Sequence, residues 1–177
     1  MEASQRLERF TAELNALGGK VTACTVQELP GLILQVLQDH KLSTLLAWDE
    51  AHLPPGLLQA LQNEGIQVSY SPDPAIQAGL TGALAAVAET GTLVLPGGAG
   101  RPLAASLLPE IHLAVLRSED IYEHLAQVFQ LLEEGEKQEN HPKPAVVLIS
   151  GPSRTADIEM TLTIGVHGPR EVYVFCV

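Results

Sequence analysis

The sequence contains few cysteines, and their positions exclude two kinds of metal protein. Cys24 and Cys176 are the two cysteines, and they lie far apart without forming a C-x-x-C pair. They cannot by themselves hold an iron–sulfur cluster or a structural zinc ion. A disulfide between them stays open, but we expect reduced, buried thiols in a cytosolic protein. The six histidines form no ligand cluster, and we expect no metal site.

Basic residues and long apolar runs are also scarce. Lysine and arginine together number 10 against 21 acidic residues, so the formal charge is −11. Nucleic-acid binding is excluded because it needs a concentrated basic surface. The first ten residues lack the apolar core of a signal peptide, and no unbroken apolar run reaches the roughly 18 residues of a membrane span. We expect a cytoplasmic protein.

The composition that remains indicates an α/β fold. Aromatic residues make up only 4% of the chain, so leucine, valine, isoleucine and alanine must build the core. A chain of 177 residues suits one domain, over 1–177. Its N-terminal part alternates helical with strand patterns, which predicts a parallel sheet with right-handed crossovers. The predicted helices cover 2–17, 30–40 and 54–64, the last one ended by Gly65, and the predicted strands cover 20–24, 44–48 and 66–70.

The rest of the chain has less regular patterning. The small apolar segment 75–87 predicts a helix that continues through Ala88, with Thr81 as its N-cap. A second helix is predicted to begin at Ser118 and to bury Ile121. Loops are predicted over 96–102 and 133–144, and strands over 92–95, 111–116, 145–149 and 171–177, of which 145–149 reads as a buried strand.

Two stretches of small polar residues form one candidate site. The first is 88–92 (AETGT), just before an apolar run, and the second is 150–169, just after one. Strand ends that continue into glycine-rich turns are where open α/β sheets place ligand sites. The alternative, that both stretches are structural turns, stays open.

Several side chains in these stretches could carry chemistry. Arg101 and Arg154 could bind an anion, because a guanidinium matches a carboxylate or phosphate; structural salt bridges are the alternative. His167 could act as a general acid or base, or could simply hold its turn. Glu89 could be a nucleophile or base, or a helix-end carboxylate.

The hydroxyl and acidic residues of the second stretch are less specific. Ser150, Ser153 and Thr155 could donate to an oxyanion, but no G-x-S-x-G elbow surrounds them. Asp157 and Glu159 share a face on a strand, whereas in a helix starting near Thr155 the dipole would favour Asp157. No dinucleotide or P-loop motif is present.

The motif blocks AETGTLVL (88–95), SLLP (106–109), SGPS (150–153), TADIE (155–159) and GVHGP (165–169) follow one another in an order that resembles the LUD-domain family. The resemblance extends over essentially the whole chain. We take its motif positions as a shared pocket. The candidate catalytic residues are Glu89 and His167, and the candidate ligand-binding residues are Thr90, Gly91, Thr92, Arg101, Ser150, Gly151, Ser153, Arg154, Thr155, Asp157 and Glu159.

The resemblance implies a three-layer α/β sandwich with a mainly parallel sheet, similar to sugar-phosphate isomerases and coenzyme A transferases. It also implies a part in oxidising L-lactate to pyruvate, alongside an iron–sulfur oxidoreductase subunit and a larger iron–sulfur subunit with its own LUD domain. Because this chain lacks clustered cysteines, the clusters are expected on those partners and no cofactor on this chain.

Three functions stay open at this point. The first is a non-cluster component that binds a small carboxylate through Arg101 or Arg154, with His167 nearby. The second is a stand-alone transferase or isomerase that uses Glu89. The third is a structural interaction subunit in which Gly91, Gly151 and Gly168 only serve tight turns.

Overall fold

A computed structural model describes residues 2–138, 145–156 and 162–177 of the protein. Five α-helices are present in this part of the chain: α1 (Ala3–Ala16), α2 (Leu29–Asp39), α3 (Leu57–Asn63), α4 (Ala104–Leu107) and α5 (Leu125–Gln138). The strands are β1 (Lys20–Ala23), β2 (Thr44–Ala47), β3 (Gln67–Ser69), β4 (Ala78–Gly82), β5 (Ala85–Val87), β6 (Thr92–Pro96), β7 (Ile111–Leu116), β8 (Ile121–Tyr122), β9 (Val146–Ile149), β10 (Arg154–Ala156), β11 (Leu162–Ile164) and β12 (Glu171–Cys176).

A six-stranded sheet in the order β1-β12-β7-β4-β2-β3 forms the centre of the fold. All its pairs are parallel, which confirms the predicted α/β fold with a mainly parallel sheet. The amphipathic pattern of α1 buries Phe10 and Leu14 completely. None of the described helices is long and apolar enough to cross a membrane.

The predicted helix capped by Thr81 is wrong, because this segment supplies two strands. Ala78–Gly82 is β4, between β7 and β2 in the sheet, and all its residues are buried. A Cβ on Gly79 would collide with the carbonyl of Ala105, so the helix α4 can approach the sheet only at a glycine. A strand buried on both faces lacks the alternation that would distinguish it from a buried helix.

A second sheet, in the order β8-β5-β6-β9, packs beside the first. Its residues alternate between two cores, as successive side chains of a strand must. Ala86, Leu93 and Leu95 belong to the large core, whereas Val87 and Val94 contact a small cluster that includes Val128 of α5.

Two further predictions around this sheet need correction. Ile121 lies in β8 rather than in a helix, because a single 3-10 turn over Ser118–Asp120 separates β7 from β8, and α5 begins only at Leu125. That helix continues to Gln138, so 133–138 is not a loop, and 139–144 lie outside the described residues. Strand β9 is an antiparallel edge strand with Leu148 44% exposed, not a buried strand of the parallel sheet.

The parallel sheet has two ends, and they separate the candidate residues. We call the end where its strands begin the amino edge and the opposite end the carboxyl edge. Glu110 and Arg170, which precede β7 and β12, meet at the amino edge, where Arg170 N donates to Glu110 O at 2.7 Å. At the carboxyl edge, Ser118 N donates to Val177 O at 2.8 Å, beyond the ends of the same two strands.

Candidate functional site

Three hydroxyl groups join the two predicted motif stretches. Thr92 Oγ1 lies 2.6 Å from Thr90 Oγ1 and 2.8 Å from Ser150 Oγ. The antiparallel pairing of β6 with β9 brings them together, because Leu93 is opposite Ile149 in that register. Thr92 is only 6% exposed, so its hydroxyl is committed to these neighbours. The two stretches do meet, and their binding of a ligand stays a prediction.

The SGPS and GVHGP segments also contact each other. Ser153 N donates to Pro169 O at 2.8 Å, and Gly165 N donates to Ser153 O at 2.9 Å. Gly168 packs on the side chain of Ser153, and His167 is exposed on the same turn. These backbone bonds show that the segments hold each other in a fixed turn arrangement.

Strand β10 replaces the helix considered near Thr155. Thr155 is half-buried and opposite Thr163 of β11. Asp157 and Glu159, the two acidic candidates, lie outside the described residues.

Arg154 and one glycine from each motif stretch, Gly151 and Gly91, contact the C-terminal end of α1. Arg154 Nη2 donates to the carbonyl of Leu17 at the C-terminal end of α1, where the helix dipole also favours a cation. Gly151 packs against Leu17, and Gly91 packs against the backbone of Leu14. Arg154 therefore makes a helix-terminal hydrogen bond. The salt bridge weighed from the sequence stays a prediction, because the nearby acids Asp157 and Glu159 lie outside the described residues.

The side chain of Glu89 contacts the beginning of α5. Its Oε1 accepts a hydrogen bond from Leu125 N at 3.0 Å, and its Oε2 lies 2.7 Å from His124 Nδ1. The hydrogen bond from His124, followed by that from Leu125, lowers the pKa of Glu89 below its usual value. Both carboxylate oxygens are engaged, which is the arrangement of a helix-end carboxylate. A catalytic role for Glu89 stays a prediction.

The segments that carry the motif residues, 150–154 and 165–169, lie at the amino edge of the parallel sheet. Open α/β sheets bind ligands at the carboxyl edge instead. Pro169 lies shortly before the start of β12, and Leu17 lies shortly before the start of β1. The strand that leads into Ser150 is β9 of the second sheet, so the rule for parallel strands does not apply to it.

The loop of Arg101 lies at the carboxyl edge of the parallel sheet. Its loop follows β6, which leads away from the hydroxyl cluster over about 14 Å at a rise of roughly 3.4 Å per residue. The loop contacts the turn after β2, where Asp49 N donates to Gly100 O at 2.8 Å. The loop of Arg101 therefore lies at the carboxyl edge and the turn of His167 at the amino edge, so the structure does not bring these two candidates together.

A network of four polar side chains at the amino edge was missed by the sequence reasoning. Glu171 Oε2 accepts from Lys20 Nζ at 2.7 Å and from Tyr173 OH at 2.7 Å, and its Oε1 lies 2.9 Å from His40 Nε2. These bonds, Lys20 first, lower the pKa of Glu171 to about 2. The available signal was the spacing of Glu171 and Tyr173, which puts both on one strand face.

His112 was also missed as a special residue. It is fully buried on β7, its Nε2 lies 2.9 Å from Thr81 Oγ1, and its Nδ1 has no hydrogen-bond partner in the described part of the chain. Burial lowers the pKa of His112 to about 4. Over residues 2–138, 145–156 and 162–177, no three histidine, cysteine or acidic side chains form a group that could hold a metal ion.

Comparison with known proteins agrees with the order of the motif blocks. The family model of the LUD domain matches residues 7–177. The chain belongs to the LUD domain family. A solved structure of a DUF162 family protein from Deinococcus radiodurans superimposes on this LUD domain with a TM-score of 0.73 over 100% of this chain and 99% of that chain. At 22% identity, that likeness shows the fold alone.

Two curated relatives extend the comparison. Lactate utilization protein C of Halalkalibacterium halodurans is 33% identical over 159 residues, which are 84% of this LUD domain chain and 69% of that protein. An uncharacterized protein of Neisseria meningitidis is 40% identical over 103 residues, or 58% of this chain. The second match spans only 42% of the relative, so the chain corresponds to less than half of that protein.

Proposed function

We propose that this protein is the non-cluster component of an L-lactate oxidation system and that it works with iron–sulfur partner subunits in the cytoplasm. The observation that carries the proposal is the similarity to lactate utilization protein C over 84% of the chain. The conversion of lactate to pyruvate removes two electrons and two protons, so the system must contain an electron acceptor. We assign the acceptor to the partners and the binding of a small carboxylate to this chain.

The state of the cysteines supports this division. Cys24 and Cys176 are both free, as expected in a reducing compartment, and Cys24 N donates to Cys176 O at 2.9 Å. Burial raises the pKa of the Cys176 thiol to about 12, which opposes the thiolate form that a metal ligand requires. Two such thiols suit a subunit whose electron transfer takes place elsewhere.

The other two hypotheses receive different support. A transferase that uses Glu89 would first have to release that carboxylate from Leu125 N and His124, so the observed contacts favour the helix-end role. A structural subunit fits the closed hydrogen bonds at the amino edge, but it does not account for the similarity to lactate utilization protein C over most of the chain.

Growth of a deletion strain tests the proposed role. We expect a strain lacking this gene to lose growth on L-lactate and to retain growth on pyruvate, because pyruvate enters metabolism after the oxidation step. A plasmid copy should restore growth on L-lactate. Unchanged growth of the deletion strain on L-lactate would overturn the proposal.

The partners can be tested in the same cells. A tagged copy purified from lactate-grown cells should retain iron and acid-labile sulfide, whereas the chain purified alone should contain neither. Loss of growth without a co-purifying iron–sulfur protein would preserve the role in lactate use and remove the proposed partners.

A further inference from the structure

His40 caps the C-terminal end of α2, and both of its ring nitrogens face hydrogen-bond acceptors. Nδ1 lies 2.9 Å from the carbonyl oxygen of Val36, and Nε2 lies 2.9 Å from Glu171 Oε1. A carbonyl oxygen and an ionised carboxylate can only accept hydrogen bonds. A neutral imidazole has one N–H, so it would satisfy one of these acceptors and turn a lone pair towards the other. The imidazolium has two N–H groups and satisfies both.

Glu171 is ionised and therefore has no proton to donate to His40. Its Oε2 accepts hydrogen bonds from Lys20 Nζ and Tyr173 OH, both at 2.7 Å. These contacts, with the one from Lys20 first, lower the pKa of the Glu171 carboxyl to about 2. The ring of Tyr173 also stands edge-on to the imidazole, with the two ring centroids 6.3 Å apart. At neutral pH the hydrogen between Nε2 and Oε1 must therefore belong to the histidine.

The end of α2 favours a positive charge on the imidazole. The last carbonyl groups of a helix have no partner within it, and the helix dipole places partial negative charge there. The last turn of α2 itself contains no basic residue, so His40 at the cap position is placed to supply the cation. The His40 side chain is 28% exposed, so salt and water screen these contacts only in part.

The charges around His40 act in both directions. Lys20 of β1 repels an imidazolium, and partial burial also opposes the charge, whereas the helix carbonyl and the Glu171 carboxylate favour it. The favourable contacts outweigh the others, with the hydrogen bond to the carbonyl first, and raise the pKa of His40 above its usual 6.5. The neighbours in sequence, Asp39 and Lys41, carry one charge of each sign. The direction of the shift agrees with the hydrogen-bond geometry, which requires two N–H groups.

We propose that His40 is held as an imidazolium in the folded protein and that its second proton operates a latch between α2 and β12. The latch is the pair of hydrogen bonds from His40 to Val36 O and Glu171 Oε1. When the ring loses this proton to water, it keeps one N–H, so one of the two bonds must break. Either loss weakens the connection between the last turn of α2 and the first residue of β12.

The latch lies at the amino edge, beside the turn that carries the GVHGP motif. Pro169 ends that motif, and its carbonyl accepts a hydrogen bond from Ser153 N at 2.8 Å. Two residues later, Glu171 N donates to Glu110 O at 3.2 Å and so joins the start of β12 to the start of β7. The carboxylate that His40 holds therefore belongs to the residue through which the motif turn enters the parallel sheet.

The sign of the pH dependence follows from the raised pKa. The folded chain holds the His40 proton more tightly than the unfolded chain, so the latch contributes its full stability below pH 6.5. That contribution is lost as the pH rises through the folded-state pKa. The buried His112, whose pKa is lowered to about 4, acts below pH 6.5, so the effects of the two histidines are separable by pH.

Nitrogen NMR of the histidine side chains in the purified full chain tests the protonation state. An imidazolium gives two similar ring-nitrogen shifts, whereas a neutral imidazole gives two widely separated ones. The His40 signals are assigned by their absence from the spectrum of His40→Gln. We expect them to be those of an imidazolium at pH 6.5 and to titrate with a midpoint above that pH. Signals of a mostly neutral ring at pH 6.5 would overturn the proposal.

Two carboxylate variants test the contact with β12. Glu171→Gln keeps the shape of the side chain but removes its charge, so it should lower the midpoint of the His40 titration. Glu119→Gln is the matched control, because Glu119 contacts Arg117 at the carboxyl edge and its replacement should leave that midpoint unchanged. A melting curve for each variant checks its folding. An equal midpoint in wild type and Glu171→Gln would show that β12 is not part of the latch and would overturn the proposal.

Amide hydrogen exchange tests the latch itself, because His40 N donates to the same carbonyl, Val36 O, at 3.2 Å. After correction for the base-catalysed intrinsic rate, protection of the last turn of α2 should fall about tenfold as the pH rises through the His40 midpoint. This is the change that loss of one hydrogen bond to a charged group predicts. The last turn of α1, which contains no histidine, should keep its protection, and His40→Gln should show no such step in α2. Unchanged protection of α2 across the midpoint would overturn the latch.

Discussion

The two edges of the parallel sheet differ in how their polar side chains are hydrogen-bonded. At the amino edge, the hydroxyl groups of Thr90, Thr92 and Ser150 bond one another, and Arg154 bonds the end of α1. At the carboxyl edge, Asp49 N and Trp48 Nε1 donate to carbonyls of the 97–102 loop, while the buried Nε of Arg101 has no partner among the described residues. The polar residues of the amino edge therefore hold a turn region together. Because Arg6 Nε and His112 Nδ1 are also buried without a partner among the described residues, such an atom does not by itself indicate a place for a ligand.

The largest expected effect comes from the contact of the amino edge with α1. Gly91 has a φ of +59°, and a Cβ there would be 2.5 Å from Leu14 N. We expect Gly91→Ala to lower the free energy of unfolding by about 2 kcal/mol or more, because both the backbone angle and the space oppose a side chain. Urea denaturation measures the loss.

Gly31→Ala is the matched control for that substitution. Gly31 lies in α2, and a Cβ added to it would meet no atom of another element within 4 Å, so its replacement should be neutral or stabilising by up to about 1 kcal/mol. A Gly91→Ala protein as stable as this control would show that α1 is not fixed by the amino edge.

A pH dependence should come from His112. Its pKa falls from the usual 6.5 to about 4 on folding, so between these values the unfolded chain holds a proton that the folded chain lacks. Stability should therefore fall as the pH falls from 6.5 to 4, by about 1.4 kcal/mol per pH unit at most. Urea denaturation of wild type and His112→Gln across this range measures the slope, which should be shallower by about one proton in the variant.

Glu171→Gln separates this effect from the amino-edge network. The pKa of Glu171 is lowered to about 2, so its contribution is present above pH 4.5 and is lost as the pH falls towards 2. That variant should keep the slope between pH 6.5 and 4.5. Equal slopes in wild type and His112→Gln would contradict the buried neutral imidazole.

A smaller loss should follow from opening the hydroxyl cluster. Thr92→Val keeps the shape of the buried side chain but removes the group that joins Thr90 to Ser150. We expect a loss of about 1 kcal/mol in the free energy of unfolding, measured in urea. Ser150→Ala should cost less, because Ser150 is exposed and water can replace its hydroxyl group. The reverse ranking would mean that Thr92 is not the centre of the cluster.

The smallest effects should distinguish the two arginines directly. Arg154→Ala should lower the melting temperature slightly, with a loss of about 0.3–1 kcal/mol, because a cation leaves the end of α1. Arg101→Ala should leave the melting temperature unchanged or raise it, because it removes an unpartnered nitrogen from the protein interior. If Arg101→Ala proved the more destabilising, the contrast between the two edges would be wrong.

The fold could be predicted where apolar residues recur at helical spacing or form an unbroken run of strand length. The leucines and Phe10 of α1 show helical spacing, and the apolar run 111–116 matches β7. Ala78–Gly82 could not be predicted, because small residues that are buried on both faces fit a helix and a central strand equally well.

The candidate site divides in the same manner. The two motif stretches could be grouped from their residue types. The partners of Arg154 and Glu89 could not be predicted, because they include backbone atoms of Leu17 and Leu125, and every residue has such atoms. The pairing of Lys20 with Glu171 spans 151 positions, and the sequence contains no local sign of it. Only the folded structure shows that Arg6 Nε and Arg101 Nε are buried without a hydrogen-bond partner among the described residues.

Trp48 gives the chain a built-in optical reporter. It is the one tryptophan in the sequence, it is 2% exposed, and its indole N–H donates to Pro102 beside Arg101. Its emission spectrum therefore reports on the 97–102 loop without any attached dye. The wavelength of that emission, followed during a titration or a temperature ramp, would distinguish a local opening of the carboxyl edge from unfolding of the whole protein.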